Sequence, residues 1–255
     1  MIPHARKSIE KSSFFGNILS EGEIFSQRMK NIGLLVACEI EAVLTQYKSE
    51  LQCVRQNGFD VYILERKDCK LHFVHSGVGL IKAAAAVQML CDCFKIEFLL
   101  NFGVVGALTE QLKTADTCFV SKVVHYDMDT SALDHCEVGR YLEYPDIYLP
   151  ASIKVLDTIR KLYPNVPTAV CACADKFVDT PEQKAKLHQR FGADICDMES
   201  AAVILICDLN RIPNLLIKTV SDSITGGADE FQKRLKTTAE TCMTIVDKVL
   251  AAGVI

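Results

Sequence analysis

The chain has 255 residues, 49% of them hydrophobic and 24% charged, with 28 Lys and Arg against 32 Asp and Glu and a formal net charge of −4. That balance excludes a disordered or fibrous chain and leaves no cationic cluster for a nucleic acid or an anionic membrane to grip. No apolar run reaches the roughly 18 residues of a membrane span, so the expectation is a cytoplasmic globular protein whose partner is a small molecule.

Residues 1–28 are polar and lack the apolar stretch of a signal peptide. They read as an N-terminal extension ahead of a domain spanning 29–255. From Ile32 to Cys38 a short continuous apolar run predicts a strand buried on both faces, and Glu39 to Tyr47 a helix. Val61–Leu64 and Leu71–Val74 read as two strands joined by the charged turn 65–70. Ser76-Gly77-Val78-Gly79 then opens an alanine-rich helix over 81–94. Phe98–Phe102 is a further buried strand, ending in Gly103-Val104-Val105-Gly106.

The second half repeats the alternation. Strands are expected at 117–125, 169–174, 193–197 and 214–220, and helices at 151–162, 181–190, 199–209 and 239–252. Thr180 and Pro181 form a helix-start signal. Strands alternating with helices at this spacing predict a single-domain α/β fold: a three-layer sandwich whose mixed, mostly parallel central sheet is flanked by helices. In such sheets a ligand lies outside the carboxyl ends of the strands. That rule draws attention to Glu39 and Glu41, Ser76, 101–106, 175–177, 197–199 and Ser221-Asp222.

Twelve cysteines are present, nine of them (Cys38, Cys91, Cys93, Cys118, Cys171, Cys173, Cys196, Cys207 and Cys242) inside apolar runs. There they act as small hydrophobes, and a long apolar chain is no disulfide scaffold. Neither Cys-Asp-Cys at 91–93 nor Cys-Ala-Cys at 171–173 has the paired spacing of a zinc site, and His72 and His75 lack a third ligand. Neither a metal nor a cofactor is expected. The glycine pairs are not a dinucleotide or P-loop fingerprint.

The carboxylates carry more. Asp222 ends a strongly apolar strand, where burial favours a proton-donating acid, although a turn acid is the plainer alternative. Glu199 opens a very apolar helix and must either face something polar or serve the helix dipole. Glu39 and Glu41 stand just past the first strand with the same two readings. Phe177 is an aromatic in a polar stretch, a core anchor or a stacking platform.

The segments 29–41 (MKNIGLLVACEIE), 76–79 (SGVG), 101–106 (NFGVVG), 197–202 (DMESAA) and Ser221-Asp222, in this order, resemble the 5′-methylthioadenosine/S-adenosylhomocysteine nucleosidases of the purine nucleoside phosphorylase superfamily. The resemblance runs from Met29 to the C-terminus. It implies hydrolysis of the bond between adenine and a thioribose, with Asp222 protonating the base, Ser221 holding that acid and Glu41 activating water. It further implies that Met198 and Glu199 bind the ribose, that Phe177 stacks on adenine beside Val178, and that Val105 and Gly106 line the substrate site. Homodimers and a role in methionine salvage are implied as well. A purine nucleoside phosphorylase is the nearest rival. Asn101 and Val104 stand where phosphorylases usually carry Arg and Ser, and their early phosphate-binding Gly and Arg are missing between Ala37 and Val43, which favours water. A non-catalytic nucleoside-binding protein is the other alternative, because Val104-Val105 replaces the usual Ser-Ala.

Overall fold

The computed structural model describes residues 29–253; the N-terminal extension expected at 1–28 lies outside the described residues. The elements run in chain order as β1 (Lys30–Val36), α1 (Ile40–Tyr47), β2 (Gln52–Gln56), β3 (Phe59–Glu65), β4 (Cys69–His75), α2 (Leu80–Met89) and β5 (Phe98–Ala107). Then come β6 (Thr117–His125), α3 (Ser131–Asp134), β7 (Tyr148–Pro150), α4 (Ile153–Leu162), β8 (Thr168–Cys173) and α5 (Pro181–Phe191). The chain closes with β9 (Ile195–Asp197), α6 (Ser200–Asn210), β10 (Asn214–Asp222) and α7 (Ala228–Ala251).

Pleating sends successive residues of a strand to opposite faces, and the core divides accordingly. Leu34, Val36, Phe73, Leu100, Phe102, Leu215 and Ile217 pack with α1, α4 and α7. Leu35, Val74, Leu99, Val105 and Leu216 pack with α2 and α6. Helices therefore cover both faces, as expected. The sheet itself departs from expectation in two ways. Its ten described pairings split evenly between parallel and antiparallel, because β2, β3 and β4 form a meander, β7 returns along β6, and β9 runs against β5. The mostly parallel sheet is thus corrected to a mixed one. It also curls: β5 bonds to β10 on one side and β9 on another, so β5, β10, β6, β8 and β9 close a five-strand circuit that an open sandwich lacks.

This closure positions the site. β5 is the hub, parallel to β1 and β10, and is buried along almost its whole length. The ends of β1, β9 and β10 are thereby gathered around its second half.

Candidate active site

A cavity of about 290 Å³ opens where these strands end. Its walls come from 37–39 after β1, 104–106 in β5, 176–178 after β8, 196–199 at the end of β9 and Ser221-Asp222 closing β10, joined by Val78 before α2 and Phe231 on α7. A larger groove lies at the other end of β1, around Lys30, Tyr47, Arg66 and Asp247. The strand-end rule selects the smaller cavity, which gathers buried carboxylates on apolar walls.

Asp222, Ser221, Glu199, Met198, Val105, Gly106, Phe177 and Val178, all singled out from sequence, line this cavity together. Glu41 does not. It is solvent-exposed in the first turn of α1, and Glu39 occupies the cavity instead. The reason is helical geometry: α1 starts at Ile40, and two residues of helix turn a side chain through about 200°. Glu39, at the cap position, is 4% exposed. Its Oε1 accepts the Val104 N–H at 2.8 Å and its Oε2 the Cys38 N–H at 3.0 Å, so two backbone donors fix the carboxylate. A Cβ on Gly103 would lie 2.8 Å from Oε1, so only glycine lets β5 pass this close.

Asp222 is 2% exposed. One carboxylate oxygen lies 2.8 Å from the Ser221 hydroxyl, which is also 3.1 Å from the Val105 carbonyl. The other accepts from the Lys184 ammonium at 2.6 Å. Lys184, on α5, is 1% exposed and also donates to the Ser223 carbonyl. The sequence reading missed it, since one lysine in the polar run Glu182 to Lys186 carries no signal of burial. α5 is held in place by its ends. Thr180 caps it by accepting the Gln183 N–H, Pro181 occupies the first turn, and Gly192 at φ 58° terminates it.

Glu199 stands at the N-terminal cap position of α6, where its side chain makes no capping bond, and is 7% exposed. Its Oε1 accepts the Gly79 N–H at 2.8 Å. Gly79 has φ 107°, and a Cβ there would lie 2.8 Å from Asp175 Oδ1, so both conformation and space demand glycine. Burial, reinforced by the charge on Asp197, pushes the Glu199 carboxyl up to about 7. Beneath it Asp197 pairs with Lys218 at 2.8 Å, both side chains being nearly inaccessible. Burial opposes the Asp197 charge, yet Lys218 holds the carboxyl below the usual range.

The open side of the cavity is aromatic. Phe177, 39% exposed, meets Phe231 of α7 edge to face with centroids 5.4 Å apart. Phe231 was also not legible, because it stands among charged residues at 229–234. Asn101 is buried against the Leu35 carbonyl and does not line the cavity.

All twelve cysteines are free thiols, and most are buried as expected of small hydrophobes. Cys93 is an exception, exposed beside Gln56 and Asn57. Among the described residues no three His, Cys, Asp or Glu side chains are grouped to hold a metal. No described helix is long and apolar enough to cross a membrane.

Fold and site together define an α/β protein with an acid-lined, aromatic-rimmed cavity at converging strand ends. The chain belongs to the phosphorylase superfamily, whose family model matches residues 31–251. It is 28% identical over 228 residues to a 5′-methylthioadenosine/S-adenosylhomocysteine nucleosidase of Maridesulfovibrio salexigens, covering 86% of this chain and 98% of that one. It is 27% identical over 209 residues to an aminodeoxyfutalosine nucleosidase of Campylobacter jejuni, covering 80% and 90%. The fold matches that of a Helicobacter pylori 5′-methylthioadenosine/S-adenosylhomocysteine nucleosidase with TM-score 0.81 at 23% identity, over 88% of this chain and 99% of that one.

Proposed function

We propose that this chain hydrolyses the N-glycosidic bond of adenine nucleosides of the 5′-methylthioadenosine and S-adenosylhomocysteine type, releasing adenine. The observation that carries this reading is the convergence of Glu39, Glu199 and Asp222, from three strand ends, on one cavity. Cleaving the bond leaves a cationic ribose and an anionic base, so the site must protonate the base, hold the sugar and aim a water. Asp222 is the acid for the base, with Ser221 fixing its orientation. Glu199 accepts hydrogen bonds from the ribose hydroxyls beside Met198. Phe177 stacks on the purine, with Val178, Val105 and Gly106 shaping its pocket. Glu39 takes the place first given to Glu41: its carboxylate, held by two N–H groups, draws a proton from water as water attacks the anomeric carbon. The names of the Maridesulfovibrio and Campylobacter relatives, both nucleosidases, support the reaction class.

Electrostatics favour water over phosphate. Four carboxylates line the cavity, Glu39, Asp197, Glu199 and Asp222, while the buried cations Lys184 and Lys218 are each tied to an aspartate. Among the described residues, Lys176 is the lysine that lines the cavity, and it is exposed. A phosphate dianion would meet like charge without a free buried partner.

The same reading includes a homodimer acting in the cytoplasm in methionine salvage. The dimer is supported by apolar side chains left exposed at Val78, which lines the cavity, at Ile81 nearby in sequence, and at Leu133 and Leu142 around 134–148. Incubating the protein with 5′-methylthioadenosine, with and without phosphate, tests the reaction. Adenine release at equal rates in both is expected; release only with phosphate selects the phosphorylase, and binding without release selects a nucleoside-binding protein.

A further inference from the structure

The Lys184–Asp222 pair is the one buried ion pair at the site whose cation stands behind the proposed acid and outside the cavity lining. Both side chains are almost inaccessible, at 1% and 2%. Among the described residues Lys184 pairs with no other charged group: besides Asp222 it donates to the Ser223 carbonyl, at 2.5 Å. The neighbouring Cys196 thiol feels the charges of both. Pairing two ions out of water is expensive and often gives no net stability. A fold that needed only to fill this space could have used an apolar residue, so the pair invites a role in the chemistry.

Building on the proposed reaction, we infer that Lys184 is a positioning residue that drives proton transfer from Asp222 to the departing base. The ion pair is the state after transfer; before it, Asp222 takes one proton from solvent and stands as a neutral carboxyl beside the Lys184 ammonium. In the step the Asp222 O–H bond breaks, its proton joins a ring nitrogen of the purine, the C–N bonding pair leaves with the base, and the ion pair is restored. The carboxyl thereby becomes a carboxylate inside a nearly dry cavity. Without a counter-charge, that product is strongly disfavoured. Lys184, already 2.6 Å from one oxygen, stabilises the negative charge as it develops and needs no reorganisation. The Ser221 hydroxyl fixes the other oxygen, so the carboxyl cannot swing away from the base. The proton is replaced from solvent after product release.

The test compares Lys184→Gln, which keeps a hydrogen-bond donor but loses the charge, with Lys184→Arg, which keeps the charge. kcat and KM for adenine release from 5′-methylthioadenosine are measured alongside thermal unfolding. Lys184→Gln should lower kcat by about 10²-fold or more, the scale of a general-acid contribution, with KM within about threefold. Lys184→Arg should recover at least about tenfold of that loss. A Gln variant within about fivefold of wild type overturns the inference, as does an Arg variant no faster than Gln, or a loss of kcat matched by an equal rise in KM. If Gln fails to fold, the Arg comparison with wild type decides: kcat more than about 10²-fold down overturns it. Failure of the underlying reading looks different, because then the wild type itself releases no adenine.

Discussion

At the scale of single residues, Asp222 and Glu199 carry separable roles. Replacing the acid by an amide removes the transferable proton while keeping shape and the Ser221 contact. Asp222→Asn should therefore reduce adenine release by about 10²–10⁴-fold while the nucleoside still raises the unfolding temperature. Near-normal turnover would remove Asp222 from its role. Glu199 sits with its carboxyl raised from an ordinary 4.5 to about 7. The stability it contributes is complete below about pH 4.5 and is lost as pH rises through about 7. Glu199→Gln should hence unfold at a higher temperature than wild type at pH 8, with the gap closing towards pH 4.5. Ribose binding runs the other way, since the ionised form is the better acceptor: KM of the wild type should fall as pH rises through 7. A flat KM between pH 6 and 8 would contradict the ribose assignment.

Asp222, Ser221, Met198, Glu199 and Phe177, which line the cavity, were legible as candidates because each stands where an apolar strand meets polar sequence. The choice between Glu39 and Glu41 was not. Both carboxylates sit at the same strand end, and only the position at which α1 begins decides which of them turns inwards.

At the scale of elements, the passage of β5 past Glu39 is a tight constraint on the site. A methyl at Gly103 would lie 2.8 Å from Glu39 Oε1, so Gly103→Ala should displace the carboxylate. Turnover should fall at least about tenfold, with a stability loss of about 1–3 kcal/mol, the usual cost of overpacking. Comparing chemical denaturation with kcat checks this, and unchanged turnover would show that Glu39 does not depend on β5. Most elements were readable from apolar runs, including β1, β6, β10 and α5. β2 was missed because its residues Gln52 to Gln56 face solvent at the sheet edge and show no buried alternation. α7 begins at Ala228, eleven residues before the expected start, because its first turns are polar and lean on the rest of the fold at few points. Phe231 is one of those points, and it was hidden for that reason.

At the scale of the whole molecule, the curled sheet brings distant sequence together. The pairings of β5 with β10 and β9 join residues about a hundred positions apart. No local pattern encodes them, so an open, mostly parallel sheet was the simpler expectation. The exposed Ile81, Leu133 and Leu142 make a related prediction: light scattering should give twice the chain mass, and Ile81→Glu with Leu142→Glu should halve it. A monomeric wild type would contradict the dimer.

The most direct test of the proposed chemistry is kcat for adenine release from 5′-methylthioadenosine in phosphate-free buffer by Glu39→Gln, with Glu41→Gln alongside. Glu39→Gln should fall by about 10²-fold or more and still bind the nucleoside, while Glu41→Gln stays within about twofold of wild type. Wild-type rates from Glu39→Gln, or the loss appearing in Glu41→Gln instead, would contradict hydrolysis by a water held at the end of β1.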